Sequence, residues 1–350
     1  MTIEEIQRMD PDGMYQCISD FPAQAEEAFK IGKAFAVPKF PRNITSILIT
    51  GLGGSAIGGD LLRAYLGDEI DVPITVNRHY NLPKFVGKNT LVIASSYSGN
   101  TEETISALKE ATRRKAKVLC ISTGGVVTEL SRKYKQPCMK IPGGLQPRAA
   151  LAYSFFPLLV ALSKGGFVRS KDKDIKETIE LLKHKALDYG NPQSSSNAPM
   201  ELAGKIKGRL PIIYSSSLRL DAVNLRWRGQ IEENAKQLAY GNLLPEMNHN
   251  ELVGWNMLRD ILSKMYVVFL RDKGDHARVS VREDITKSIV GQYAAGVSEI
   301  RSEGTSLLTR MFSLIHFGDW TSFYLAILNN QDPTPVKAID HLKNELAKVR

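Results

Sequence analysis

From residue 46 onward, short unbroken apolar runs alternate with longer stretches in which apolar positions recur every three to four residues. The runs SILIT (46–50), IDVPITVN (70–77), TLVIASS (90–96), KVLCIST (117–123) and CMKIP (138–142) predict five strands. Between them, DLLRAYL and the stretch from YSGNTEET to about Arg113 predict helices. Strands alternating with helices imply parallel βαβ units and a doubly wound α/β sheet. Residues 1–45 carry two helical patterns, the second in FPAQAEEAFKIGKAF, with aromatics and alanines at helical spacing.

A second series begins near residue 195. KDKDIKETIELLKHKALDYGNPQSSSNAP (171–199) predicts a linking helix that ends in a polar loop. LPIIYSSS (210–217) repeats the grammar of the third strand: apolar residues, a serine cluster, then a helix. KMYVVFLR (264–271) and GVSEIRSE (296–303) predict further strands, and LLTRMFSLIHFGDWTSFYLAIL (307–328) a long core or interface helix. The expected division is N-terminal helices plus a first α/β domain over 1–165, a linking helix and loop over 166–194, and a second domain over 195–350. The repeat is architectural, with weak identity between halves.

Composition narrows the class. A chain of 350 residues has room for two domains, and 43% hydrophobic with 24% charged residues is ordinary for a soluble protein. No apolar run reaches the ~18 residues of a membrane span, and MTIEEIQRMDPDGM lacks the apolar core of a signal peptide. Cys17, Cys120 and Cys138 have no metal-ligand spacing, and their odd number argues against a disulfide framework. The expected compartment is the reducing cytoplasm. The net charge of +9 is scattered in short runs such as RRKAK (113–117), which suits a solvated surface and an anionic small substrate better than nucleic acid.

The candidate chemistry starts at LITGLGGSAIGGDLL (48–62), a strand running into glycines and a serine. GLGGSA fits the dinucleotide pattern G-x-G-x-x-A, which also wants an acidic residue at the end of the next strand. That strand ends instead in Asn77-Arg78, and no P-loop Lys-Ser/Thr follows the glycines. SSYSGNTEET (95–104) likewise leaves a strand and opens a helix, presenting Ser96, Ser98, Asn100 and Thr101 within six residues. Hydroxyls beside free helix-start amides make an anion cradle without a lysine; the plainer alternative is an N-cap by Ser98 or Asn100. Ligands of open sheets sit beyond the carboxyl ends of the strands. Both loops lie there, so together they can hold a phosphomonoester and a neighbouring sugar hydroxyl.

GGS followed by SSYSGNTEET resembles the sugar isomerase (SIS) domain of the phosphoglucose isomerase superfamily. IEENAKQLAYGNLLPEMNHNE and DPTPVKAIDHLK extend the resemblance to the bifunctional phosphoglucose/phosphomannose isomerases, from about residue 45 to the end. The resemblance implies two tandem SIS domains and a cytoplasmic enzyme of carbohydrate metabolism, in glycolysis or gluconeogenesis, without metal or cofactor. Its reaction is aldose–ketose isomerisation, with Glu233 as the proton-transferring group and Glu232 as the competing candidate. Arg148 would stabilise the enediolate, while His249 and Lys337 would open the sugar ring. His249 would come from the neighbouring subunit, which implies a homodimer. Ser55, Ser96, Ser98 and Thr101 would hold phosphate and hydroxyls, helped by Gly54 and Asn100. A glucosamine-phosphate synthase would need an N-terminal glutaminase for which there is no room. A DNA-binding phosphosugar sensor would need more than the short acidic stretch before residue 46, and a catalytically silent phosphosugar-binding protein is the remaining alternative. His316 and Trp320 sit at helical spacing in an apolar segment and are expected to pack; Trp255 is expected to fill the space behind the His249 turn.

Overall fold

A computed structural model of the chain describes residues 2–349. Five strands, β1 (Ser46–Thr50), β2 (Ile74–Asn77), β3 (Thr90–Ser95), β4 (Lys117–Ser122) and β5 (Cys138–Lys140), form one sheet in the order β2-β1-β3-β4-β5. Four more, β6 (Leu210–Ser216), β7 (Tyr240–Leu244), β8 (Met265–Arg271) and β9 (Gly296–Arg301), form a second in the order β7-β6-β8-β9. Every pairing is parallel. Helices cover both faces of such sheets, so their central strands are apolar at every position rather than alternating. β1 and β3 are buried along their whole length.

Both sheets reverse their winding beside their first strand, between β1 and β3 and between β6 and β8. The loops after those strands therefore open the two crevices where a ligand can sit. One apolar cluster joins the halves, running from Phe21 and Ala25 near the N-terminus through Phe155 and Phe156 to Phe312 and Trp320. The helix Asp221–Ala235 packs on both Leu307–Leu328 and Gly53–Leu66, and so brings second-half residues to the first crevice.

Three differences from the sequence reading have physical causes. The N-terminal stretch forms three helices, Ile3–Met9, Met14–Ser19 and Phe21–Ala34, rather than two. Asp10 accepts from the amides of Met14 and Tyr15 and breaks the first pattern. β7 was not foreseen because YGNLL is a half-exposed edge strand. The helix Ala277–Val290 was not foreseen because it buries only Glu283, Thr286 and Val290, which give no apolar stripe.

Candidate active site

The helix Gly53–Leu66 starts inside the glycine run rather than at DLLRAYL. A side chain at Gly54 would stand 2.2 Å from the carbonyl oxygen of Pro147, so the helix start rests directly on the turn carrying Arg148. Arg148 is only 3% exposed, which excludes a surface pair. Its Nε donates to Asn234 Oδ1 at 2.6 Å, and its Nη2 donates to the carbonyls of Pro333 and Thr334, both at 2.7 Å. Its Nη1 lies 3.4 Å from Glu233 Oε2. Burial pulls its affinity for a proton down, with Glu233 acting against that pull; a guanidinium keeps its charge regardless.

Glu233 belongs to the last turn of Asp221–Ala235, where residues four apart share a face. Leu225, Gly229 and Glu233 form one wall of a cleft whose other lining includes Gly53, Gly54, Arg78 and Arg148. Glu232 points elsewhere, one residue being about 100° around the helix; it does not line the cleft, and burial raises its pKa. The wall is fixed by hydrogen bonds of its own side chains. Buried Asp319 holds Arg226 at 2.7 Å and Gln230 at 3.0 Å, and Asn234 donates to Ser322 at 2.9 Å.

Lys236 was missed in the sequence, where it reads as an ordinary helix-end lysine three residues after Glu233. It ends the helix in the left-handed region, and its Nζ donates to the carbonyls of Glu233 (2.6 Å) and Pro333 (3.0 Å). Burial, together with neighbouring Arg148, lowers it to about 8. Arg148 and Lys236 thus both grip the Pro333–Thr334 turn, and Lys337 starts the next helix, exposed, just beyond it.

The second loop is built by its own polar groups. Ser55 Oγ accepts from the amide of Tyr97 at 3.0 Å, and Ser96 Oγ meets Thr101 Oγ1 at 3.1 Å while accepting from Gly99 N. Gly99 has φ +72°, and a side chain there would stand 1.9 Å from Gly124 O. Ser55 and Ser96 are buried and shape the loop. Ser98 and Asn100 are exposed, and Thr101 is half-buried. The N-cap of the helix Glu102–Arg113 is Thr101, not Ser98 or Asn100, and its side chain caps no amide. The amides of Glu102, Glu103 and Thr104 have no acceptor among the described residues. Unpaired helix-start amides beside hydroxyls attract an anion.

Of the remaining sequence candidates, His249 ends an exposed turn, Glu246–His249, and does not line the cleft. Trp255 is buried behind that turn with Met247 and Leu244, and donates to Tyr214 Oη at 2.9 Å. His316 and Trp320 are fully buried packing residues, the tryptophan donating to His316 Nε2 at 3.1 Å; burial pulls His316 down to about 3. Among the described residues no group of three His, Cys, Asp or Glu side chains is placed to hold a metal, and no helix is long and apolar enough to cross a membrane.

Both halves of the chain resemble known proteins. The family model for the SIS domain matches residues 42–133, and that for the bacterial phospho-glucose isomerase C-terminal SIS domain matches 195–346. A bifunctional phosphoglucose/phosphomannose isomerase of Caldicellulosiruptor bescii is 46% identical over 96% of this chain and 100% of its own. One of Aquifex aeolicus is 35% identical over 92% and 99%. In fold, a hypothetical protein from Thermus thermophilus superposes with TM-score 0.75 at 14% identity, over 99% of this chain and 93% of that one.

Proposed function

The chain belongs to the family of bifunctional phosphoglucose/phosphomannose isomerases, and from that premise we propose how its residues interconvert glucose 6-phosphate and mannose 6-phosphate with fructose 6-phosphate. The observation that carries the reading is Glu233, one-third exposed, held 3.4 Å from the buried guanidinium of Arg148 in the cleft beside Gly54.

The phosphate sits on the helix start behind Thr101, with Ser98 and Asn100 at its rim. Glu233 takes the proton from C2 of the open-chain aldose and returns it to C1. The C1 carbonyl oxygen gains a proton as the C2 hydroxyl loses one, and the intermediate is an enediol. Arg148 faces the oxygen on which negative charge develops. It is already desolvated and fixed by three other acceptors, so little reorganisation is needed. The same guanidinium orders the turn leading to Lys337, a ring-opening group.

His249 supplies the other ring-opening group from a second copy of the chain. Its turn is exposed, and the apolar residues that follow, Val253, Met257 and Leu258, are 80%, 71% and 69% exposed. The helix Lys337–Leu346 buries none of its residues and turns Ile339 and Leu342 outward. Apolar surface of this kind marks an interface, and a homodimer would cover it while completing each site.

The test is production of fructose 6-phosphate from each sugar, assayed separately. Isomerisation of neither would overturn the reading. Mixing inactive Glu233→Gln and His249→Ala chains then tests the shared site: hybrid dimers carry one intact site, so activity should return. Subunit exchange seen by mass spectrometry without recovered activity would refute the sharing.

A further inference from the structure

Glycine inside a helix is unfavourable by about 1 kcal/mol relative to alanine, so an interior glycine asks for a reason. For most here the reason is close packing. A Cβ at Gly32 would stand 2.8 Å from Val160 Cβ, at Gly58 2.7 Å from Ser154 O, and at Gly318 2.5 Å from the Trp227 ring. Gly204 and Gly229 are different, because a Cβ at either would meet nothing within 4 Å. Gly204 is on the exposed face of Ala198–Ile206. Gly229 is in the middle of Asp221–Ala235, half-buried, and lines the cleft one turn before Glu233.

We propose that Gly229 is a specificity-determining residue: its missing side chain keeps open the space beside Glu233 in which the C1–C2 end of the open-chain sugar turns, so that both C2 epimers are accepted. The inference rests on the isomerase reading above. Neighbours four apart on a helix have Cβ atoms about 6 Å apart, so anything built on Gly229 enters the volume next to the Glu233 carboxylate. The two aldose phosphates differ only at C2, the carbon that carboxylate serves. A carboxylate held on one helix wall addresses one face of C2. The other epimer is reached by rotation about C2–C3 in the intermediate, which sweeps a volume that an added methyl would partly fill. The backbone of the wall is held in place by the hydrogen bonds of Arg226 and Gln230 to Asp319 and of Asn234 to Ser322.

Gly229→Ala is compared with Gly204→Ala in the full-length enzyme, by thermal unfolding and by kcat/KM for each aldose phosphate. Both variants should raise Tm, because both positions have room for a methyl group. Gly204→Ala should leave the kinetics unchanged. Gly229→Ala should cut kcat/KM for mannose 6-phosphate by about tenfold or more, the usual effect of one methyl group in a tight pocket, and for glucose 6-phosphate by distinctly less. Unchanged kinetics, an equal loss on both sugars, a lower Tm, or dissociation of the assembly in Gly229→Ala would each overturn the proposal. Failure of the unmodified enzyme to isomerise either sugar would instead overturn the isomerase reading.

Discussion

The two crevices of this molecule share one topology and carry opposite chemistry. At the first, the loop after β3 presents Ser98, Asn100 and Thr101, the cleft beside it carries Arg78 and Arg148, and the helix Glu102–Arg113 opens with unpaired amides. At the second, after β6 and β8, the same place is filled by the protein's own carboxylates. Asp272 accepts from Arg310 Nε at 2.7 Å and from Ser302, while Ser216 donates to Asp275. The helix that follows, Ala277–Val290, is capped by His276, whose Nδ1 accepts from Arg278 N at 3.1 Å. A phosphate at the second crevice would face buried Asp272 and half-buried Asp275. The difference teaches that a repeated fold repeats the crevice but not its chemistry: the side chains placed there set what each copy can accept. The second half contributes instead through its helix Asp221–Ala235, which reaches across to the first crevice with Glu233.

The largest effect expected is at the residue that crosses between the halves. Glu233→Gln keeps shape but removes the carboxylate proposed as the base, so kcat should fall by about 10²–10⁴ while substrate still binds; a wild-type rate would overturn the catalytic assignment. Next comes Asp272→Ala at the second crevice. It leaves Arg310 buried without its carboxylate, and stability should drop by about 3–5 kcal/mol in denaturant unfolding, with KM unchanged in the protein that remains folded. A raised KM would mean that the second crevice also binds substrate.

At the first crevice, Ser98→Ala and Thr101→Val should each raise KM by roughly ten- to a hundredfold with kcat nearly unchanged, the effect of losing one hydrogen bond to a charged group present throughout the reaction. Unaltered KM in both would reduce the loop to a helix start. The smallest effect is a pH dependence of stability. Glu283, buried on Ala277–Val290, is pushed up to about 7 by burial and by Asp275, against the pull of Arg271. Its folded pKa lies above the ordinary value of 4.5. As pH rises between those values the unfolded chain has released the proton while the native chain still holds it, so stability falls across that window. Glu283→Gln should flatten this part of the stability profile, measured by urea unfolding at pH 5 and pH 7, and leave the isomerase kinetics unchanged.

How much of this was legible depends on where each feature keeps its information. The strand at 46–50 and the helices ending at Arg113 and spanning 307–328 lie where the apolar pattern predicts, because strands buried on both faces and fully buried helices write their environment into consecutive residues. β7 and the helix Ala277–Val290 did not, since a half-exposed element carries few apolar positions. The polar loop after β3 was readable from serines, threonine and glycine packed into ten residues. Lys236 was not, because nothing in the sequence near it states that it will meet the Pro333 carbonyl, 97 residues away.

By itself, then, the sequence determined the parallel α/β architecture, the two-fold repetition of it and the short-range chemistry of each loop, all of which are set by neighbours along the chain. Tertiary structure alone decided that Arg148 is buried against Asn234 and the Pro333–Thr334 turn, partners 86 and 185 or more residues away. It also decided that Glu233 rather than Glu232 faces the cleft and that Gly229 stands bare beside it. The physical reason is that burial and desolvation are properties of the space around a side chain. That space is enclosed by segments the chain brings together only on folding, so no local pattern can encode it.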